Sequence, residues 1–397
     1  MSLNDTPRAN RLHIGIFGKR NSGKSTLINA LTGHNTALVS SVAGTTTDPV
    51  YKTIEIYGIG PCVLIDTAGF DDEGYLGSMR VEKTKLAMEK TDVALIVCSN
   101  EDIGQELEWA KEFKARKAPV IMVINKIDQI KNTDKIRKKI YEALKEEPIK
   151  ISAISKLGME RIREEIIRNI PEDFDANSIL GDLVKEGDTV LLVMPQDIQA
   201  PKGRLILPQV QTLRELLDKK CIVLSSTADK LEEALKSLAN PPVLIITDSQ
   251  VFQLVYEKKP KESKLTSFSV LFAGHKGDID YYVKSAKAID QLTENSKVLI
   301  AEACTHVPLT EDIGRVKLPR MLRNKVGEGL IIENVSGNDF PQDLTEYDLV
   351  IQCGACMFNR KYVMSRVEQA IAQKVPMTNY GIAIAYINDI LDKITLR

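Results

Sequence analysis

Residues 18–25 read GKRNSGKS, a G-x-x-x-x-G-K-S loop set between the apolar run HIGIF and the helical stretch STLINAL. Gly18 and Gly23 let successive backbone N–H groups turn inward around phosphate oxygens at a helix N-terminus. In that setting Lys24 reaches the outer phosphates and Ser25 offers its hydroxyl to Mg2+, while Asn21, Ser22 and Thr26 complete the cradle. DTAG, Asp66 to Gly69, follows the run PCVLI, so the Asp66 carboxylate approaches the Mg2+ shell and the Gly69 amide meets the terminal phosphate. NKID, Asn125 to Asp128, follows VIMVI. A carboxylate at Asp128 accepts both the N1–H and the N2 amino protons of guanine, which adenine does not offer, so the pattern implies GTP rather than ATP. Asn125 and Lys126 share that loop, and Ser152 and Ala153, after PIKI, back the base. The chemistry expected is phosphoryl transfer from GTP to water beside Mg2+.

A second set of residues suits soft metals. AEACTHVPLTE, Ala301 to Glu311, carries Cys304 and His306, and IQCGAC carries Cys353 and Cys356. Cys304 falls just after the run KVLIAEA and Cys353 just after DLVIQ. In open parallel sheets, ligand sites gather beyond the carboxyl ends of the strands, so two such neighbours would bring the three thiols together. Three thiolates suit a 4Fe-4S cluster or zinc. Zinc would be completed by His306 in a Cys3His set. A cluster would leave one iron for His306, for Glu311 or for an external ligand. The bland alternative is three buried cysteines acting as small hydrophobes. Spacing alone does not separate zinc from a cluster.

The elements that must position both sets alternate along the chain. Apolar strand-like runs (RLHIGIF, PCVLID, DVALIVC, PVIMVIN) interleave with the helical stretches EKTKLAMEK, QELEWAKEFKARK and DKIRKKIYEALKEE. NIPEDFDANS has the punctuation of a linker. TVLLVMP, QTLRELLDKK, CIVLSS, ADKLEEALKSL and PVLIITD form a second alternating set, closed by the charged stretch EKKPKESK. SFSVLFAG opens a third set, which continues through DIDYYVKSAKAID, KVLIAEAC, DLVIQC and RKYVMSRVEQAIAQK. The expected fold class is α/β with three domains: a P-loop GTPase at 1–172, then two smaller parallel α/β domains at 178–264 and 265–397. The runs around Val190 to Met194 and Val243 to Ile246 are expected to help build any dimer contact, directly or through core packing.

Among 397 residues the formal net charge is −1, which gives no footprint for nucleic acid. The N-terminal MSLNDTPRANR lacks the apolar core of a secretory signal, and no run approaches a membrane span of about 20 residues. A cytoplasmic protein without membrane or nucleic-acid partners is expected. In that reducing setting six cysteines read as thiols or metal ligands rather than disulfides.

Two resemblances sharpen these expectations. AGTTTD, Ala43 to Asp48, resembles the first switch of tRNA-modification and ribosome-assembly GTPases. That likeness makes Thr46 the threonine that closes on Mg2+, and makes Asn21 the asparagine that helps hold K+ beside the phosphates. Such a cation would neutralise charge between β and γ oxygens as an arginine finger does. Phe70 follows DTAG where a Ras-like enzyme has its water-orienting glutamine, so slow turnover is expected.

The whole constellation of GTPase, middle α/β domain, C-x-H and C-x-x-C resembles the HydF family of FeFe-hydrogenase maturation GTPases. The resemblance implies that Cys304, Cys353 and Cys356 hold a 4Fe-4S cluster, with His306 or Glu311 as candidate fourth ligand. It further implies a homodimeric scaffold that carries a two-iron precursor to apo FeFe-hydrogenase, with radical-SAM maturases upstream. One departure is Gln352, where many members have histidine before the CxxC. The rival class, a tRNA-modification or ribosome-assembly GTPase with a structural zinc, predicts a basic RNA-binding appendage that this neutral chain does not offer.

Overall fold

In a computed structural model, the chain is described over residues 8–32, 49–56, 59–67, 83–171, 174, 178–195, 205–303 and 312–396. It forms two compact units, Met1–Ala176 and Asn177–Arg397.

The first unit is built on a six-stranded sheet in the order β2-β3-β1-β4-β5-β6. Its strands are β1 (Leu12–Phe17), β2 (Val50–Ile56), β3 (Gly60–Asp66), β4 (Val93–Cys98), β5 (Val120–Ile124) and β6 (Ile149–Lys150). Every pairing is parallel except β2 with β3. β1, β4 and β5 read LHIGIF, VALIVC and VIMVI, and every residue in them is buried. Such unbroken apolar runs are what a parallel sheet covered on both faces requires. Helices α1 (Lys24–Thr32), α2 (Gly104–Ala115), α3 (Asp134–Leu144) and α4 (Met159–Arg168) supply the cover. α3 buries Ile136, Ile140 and Leu144, and α4 buries Ile162 and Ile166, the four-residue spacing of one helix face. The antiparallel edge strand β2, VYKTIEI, was not among the expected elements, because its alternating half-exposed pattern lacks a continuous apolar run.

The second unit carries two four-stranded parallel sheets. The first runs β10-β9-β7-β8, from β7 (Thr189–Val193), β8 (Ile222–Ser226), β9 (Leu244–Thr247) and β10 (Lys264–Ser267). The second runs β12-β11-β13-β14, from β11 (Lys297–Glu302), β12 (Ile331–Ser336), β13 (Leu349–Gln352) and β14 (Met377–Asn379). Around them lie α5 (Leu207–Asp218), α6 (Leu231–Lys236), α7 (Phe252–Lys258), α8 (Phe268–Lys276), α9 (Ile279–Ala286), α10 (Leu318–Val326), α11 (Arg360–Ala372) and α12 (Tyr380–Ile387).

Three expectations change here. The charged stretch 257–264 runs into β10, which pairs with β9 and so completes the middle sheet. SFSVLFAG, read as the opening of a third set, continues as helix α8. Ser267 caps it by accepting from the Val270 N–H at 3.2 Å. A short, wholly apolar run has no readable period, so a buried helix and a buried strand look alike in sequence. Of the runs expected to help build a dimer contact, Val190–Val193 and Leu244–Ile246 are fully buried in central strands, which leaves them the core-packing role, while Val243 is 38% exposed. Apolar side chains from both sheets, among them Leu191, Ile245, Leu299, Val350 and Met377, share one core with α8 and α12. α8 and α12 approach closely at Gly381, where a Cβ would lie 2.3 Å from Ser269 Oγ.

Candidate functional sites

The phosphate loop spans the turn from β1 into α1. Gly18 (φ +156°), Asn21 (φ +59°) and Gly23 (φ +92°) give the loop its positive-φ turns. A Cβ on Gly23 would meet Asn125 Nδ2 at 2.3 Å, so only glycine fits against the base-side loop. Lys24 is 7% exposed, and its ammonium donates to the carbonyls of Gly18 (2.7 Å) and Lys19 (3.0 Å), which aims it across the loop. Ser22 is buried with its hydroxyl unpartnered among the described residues. Ser25 Oγ donates to Asp66 Oδ2 at 3.4 Å, which brings two of the three expected Mg2+ residues together. Burial lifts the Asp66 carboxyl above its usual range, against the pull of Lys24, Lys52 and Ser25. A divalent cation at this pair would favour the carboxylate. Thr26 occupies the first turn of α1 beside them.

Asn125 ties the loops together. Its Nδ2 donates to Ser22 O at 3.0 Å, and its Oδ1 accepts from Ala153 N–H at 3.1 Å. It is 1% exposed, so both bonds are shielded from water. The phosphate loop and both base-side loops therefore share a single side chain. Lys126 adopts φ +61° in the same turn. Asp128 is exposed, and the Ser152 hydroxyl, before any other group, holds its carboxyl below the usual range. That keeps it an acceptor. Lys19 braces the loop from outside, donating to Asp102 Oδ2 at 2.6 Å. Thr46 and Gly69, expected at the Mg2+ and the terminal phosphate, lie outside the described residues.

The cysteine motifs meet at strand ends. β11 and β13 are parallel neighbours, with Ala301 paired to Gln352 and Cys353 N–H donating to Ala301 O at 2.9 Å. Ala303, the residue before Cys304, donates its N–H to Cys353 Sγ at 3.1 Å. Ala355 N–H donates to the same sulfur at 3.4 Å, from a residue held at φ +48°. Backbone N–H groups aimed at a sulfur favour its thiolate form. Burial, then the neighbouring Cys356, push the Cys353 thiol up to about 11, so a bound metal is what would displace its proton. Cys304, His306 and Glu311 lie outside the described residues, and among the described ones no group of three or more His, Cys, Asp or Glu could hold a metal. The other three cysteines, Cys62, Cys98 and Cys221, are buried elsewhere with thiols pushed up by burial. Gln352 is 1% exposed, and its Oε1 is unpartnered among the described residues.

Two cations near the CxxC loop escaped the sequence reading. Lys276, at the end of α8, is 2% exposed. Its ammonium donates to Phe358 O at 2.6 Å, Cys356 O at 3.3 Å and Ala355 O at 3.4 Å. Burial pulls it down to about 8, against the opposing influence of Cys356 and Cys353. Arg366, on α11 and 2% exposed, stacks on the rings of Phe340, Phe358 and Tyr362 at 4.5–4.7 Å. The signal that marked Lys276 was its place at the end of the apolar run FSVLFAG, where a solvated lysine is the ordinary reading.

Comparison with known proteins adds three family matches. Residues 13–126 match a family described as 50S ribosome-binding GTPase. Residues 179–277 match the hydrogen maturase F dimerization domain, and residues 280–396 the hydrogen maturase F tetramerization domain. The chain is similar to GTPase Der of Lachnospira eligens, 28% identical over 59% of this chain and 52% of that protein. It is also similar to the tRNA modification GTPase MnmE of Aquifex aeolicus, 33% identical over 40% of this chain and 34% of that protein. It thus spans between about a third and a half of these curated relatives. A crystal structure of Era from Aquifex aeolicus bound to GDP and AlF4− matches 57% of this chain and 98% of its own, at 23% identity and a TM-score of 0.37. With both hydrogen maturase F domains in sequence behind a GTPase domain, the chain belongs to the hydrogen maturase F (HydF) family.

Proposed function

We propose that this chain is a GTP-hydrolysing scaffold that carries the two-iron precursor of the FeFe-hydrogenase active site to the apo-enzyme. One observation carries the reading at the metal end: the N–H of Ala303, one residue before Cys304, is bonded to Cys353 Sγ. That contact supports a site in which Cys304, Cys353 and Cys356 hold a 4Fe-4S cluster, with His306 or Glu311 as candidate fourth ligand. The N–H groups on Cys353 and the left-handed turn at Ala355 fit a thiolate-bound group. When bound, the cluster would supply an iron with an exchangeable position. Around it, this chain's residues orient the Cys353 sulfur and hold positive charge behind the loop.

At the nucleotide end, Lys24 and Ser25 bind phosphate and Mg2+, Asp66 orients the metal's water shell, and Asp128 selects guanine. Thr46 and Gly69 are proposed to close on the nucleotide, and Asn21 to help hold K+. Turnover is slow and stimulated by K+ in this reading, and the working form is a cytoplasmic homodimer that meets radical-SAM maturases before the hydrogenase. Its domains are 1–172, 178–264 and 265–397, with β10 and α8 at the second junction.

The test is iron content measured beside GTP turnover in anaerobically prepared full-length protein. Cys304→Ser, Cys353→Ser and Cys356→Ser should each lose most of the iron and keep GTP turnover, because serine oxygen is a harder ligand than thiolate. Full iron in all three variants overturns the cluster reading.

A further inference from the structure

Lys276 is an unusual place to spend a charge. An ammonium taken out of water needs its three protons accepted and a counter-charge nearby, or it costs several kcal/mol. Three carbonyls meet the first need, and all three belong to one short turn, Ala355, Cys356 and Phe358. That turn is the CGAC loop with its immediate continuation. No carboxylate pairs with the Lys276 ammonium among the described residues. A second buried cation, Arg366, lies against Phe358 from α11, with Nε and Nη1 unpartnered among the described residues. The protein has therefore placed positive charge behind a loop whose own charge would come only from its thiolates.

We propose that Lys276 is a positioning residue for the cysteine loop, holding Ala355–Phe358 in its ligating turn and setting the reduction potential of the cluster bound there. This rests on the cluster reading above and deepens it. Three thiolates around a 4Fe-4S core leave net negative charge, and one-electron reduction adds another. A buried cation stabilises the reduced form more than the oxidised one, so it raises the potential. Its low-dielectric surroundings keep that influence from being screened. The same bonds explain how Ala355 is kept at φ +48°, a left-handed conformation that a non-glycine residue adopts only when its surroundings impose it. Lys276 also falls within the span matched by the dimerization domain, while the loop falls within the tetramerization domain. One side chain thus reaches from the first to the metal loop of the second.

The experiment uses full-length protein reconstituted anaerobically with iron and sulfide, reduced stepwise with dithionite and followed by electron paramagnetic resonance. Lys276→Met should lower the midpoint so that, poised at the wild-type midpoint, the ratio of reduced to oxidised cluster falls about tenfold, about 59 mV for one electron. Its iron should also pass to a chelator about tenfold faster. Lys276→Arg keeps the charge and should restore the midpoint. If thermal melting shows that Lys276→Met does not fold, Lys276→Gln replaces it, keeping an N–H donor while removing the charge. A folded, cluster-loaded neutral variant with the wild-type midpoint and wild-type iron loss overturns the inference. Two other results would end the cluster reading itself and this inference with it: wild-type protein that holds no cluster, or full iron in all three of Cys304→Ser, Cys353→Ser and Cys356→Ser.

Discussion

Asn125→Ala is the sharpest test of how the nucleotide site is assembled. The side chain makes two buried hydrogen bonds, 3.0 Å to Ser22 O and 3.1 Å from Ala153 N–H, and so ties three loops together. Truncation to alanine strips a partner from each backbone group. Losing one buried hydrogen bond costs about 1–1.5 kcal/mol net, so the pair is worth about 2–3 kcal/mol. At about 2–4 °C per kcal/mol for a unit of this size, the midpoint of its unfolding should fall by about 4–12 °C. The loops must also be reordered when GTP binds. If about 2 kcal/mol of that cost appears in binding, affinity weakens about 30-fold. Thermal melting with and without GTP, and titration with a fluorescent GTP analogue, read the two effects separately. Asn125→Asp divides them further: it keeps the acceptor for Ala153 and sets an oxygen against Ser22 O. A melting point and affinity both unchanged in Asn125→Ala would refute the tie between the loops.

Asp128→Asn should weaken GTP and gain xanthosine triphosphate, because an amide presents a donor where guanine's N1–H needs an acceptor; competition binding with both nucleotides checks it. GTP turnover should be about tenfold or more faster in KCl than in NaCl at matched ionic strength, and equal rates would leave Asn21 (φ +59°) as a turn residue that needs only its backbone shape. Ile222 is 61% exposed on β8, the edge strand of the middle sheet among the described residues, so Ile222→Lys should weaken self-association at least about tenfold in sedimentation equilibrium. An unchanged dimer would put the contact elsewhere.

The phosphate loop was legible because its geometry is written in backbone terms. Glycines at 18 and 23, a lysine and a serine at a helix start, and an acid after NK have few other uses at those spacings. The pairing of β11 with β13 was legible for a related reason: both runs end in cysteine, and parallel strands line up their carboxyl ends. What escaped reading depends on partners far away in sequence. Lys276 looks solvated until α8 is packed beneath residues 355–358. Asn125 reads as a base-contacting residue, and nothing local reveals that Ser22, about a hundred positions earlier, holds its amide. β12 reads IIENVS, too polar to stand out as a strand, and takes its place by pairing along all six residues with β11. α8 failed in the opposite direction, being too uniformly apolar to reveal its period.

The core shared by the two four-stranded sheets bears on how the second unit folds and on how it can be altered. Leu191, Ile245, Leu265, Leu299, Val350 and Met377 belong to one continuous apolar cluster, so neither sheet keeps a finished core without the other. Residues 177–397 should therefore open as a single cooperative block in native-state hydrogen exchange, with amides of β7 and β11 protected to the same free energy. Local opening would then be confined to its edges and loops. The middle sheet is consequently a poor candidate for excision. Removing 178–264 would strip the apolar partners from the metal-loop sheet, and a loss of dimer in such a truncation would report a broken core before it reported a missing interface. Point changes on exposed edges leave that block intact, and they are the perturbations from which assembly can be learned.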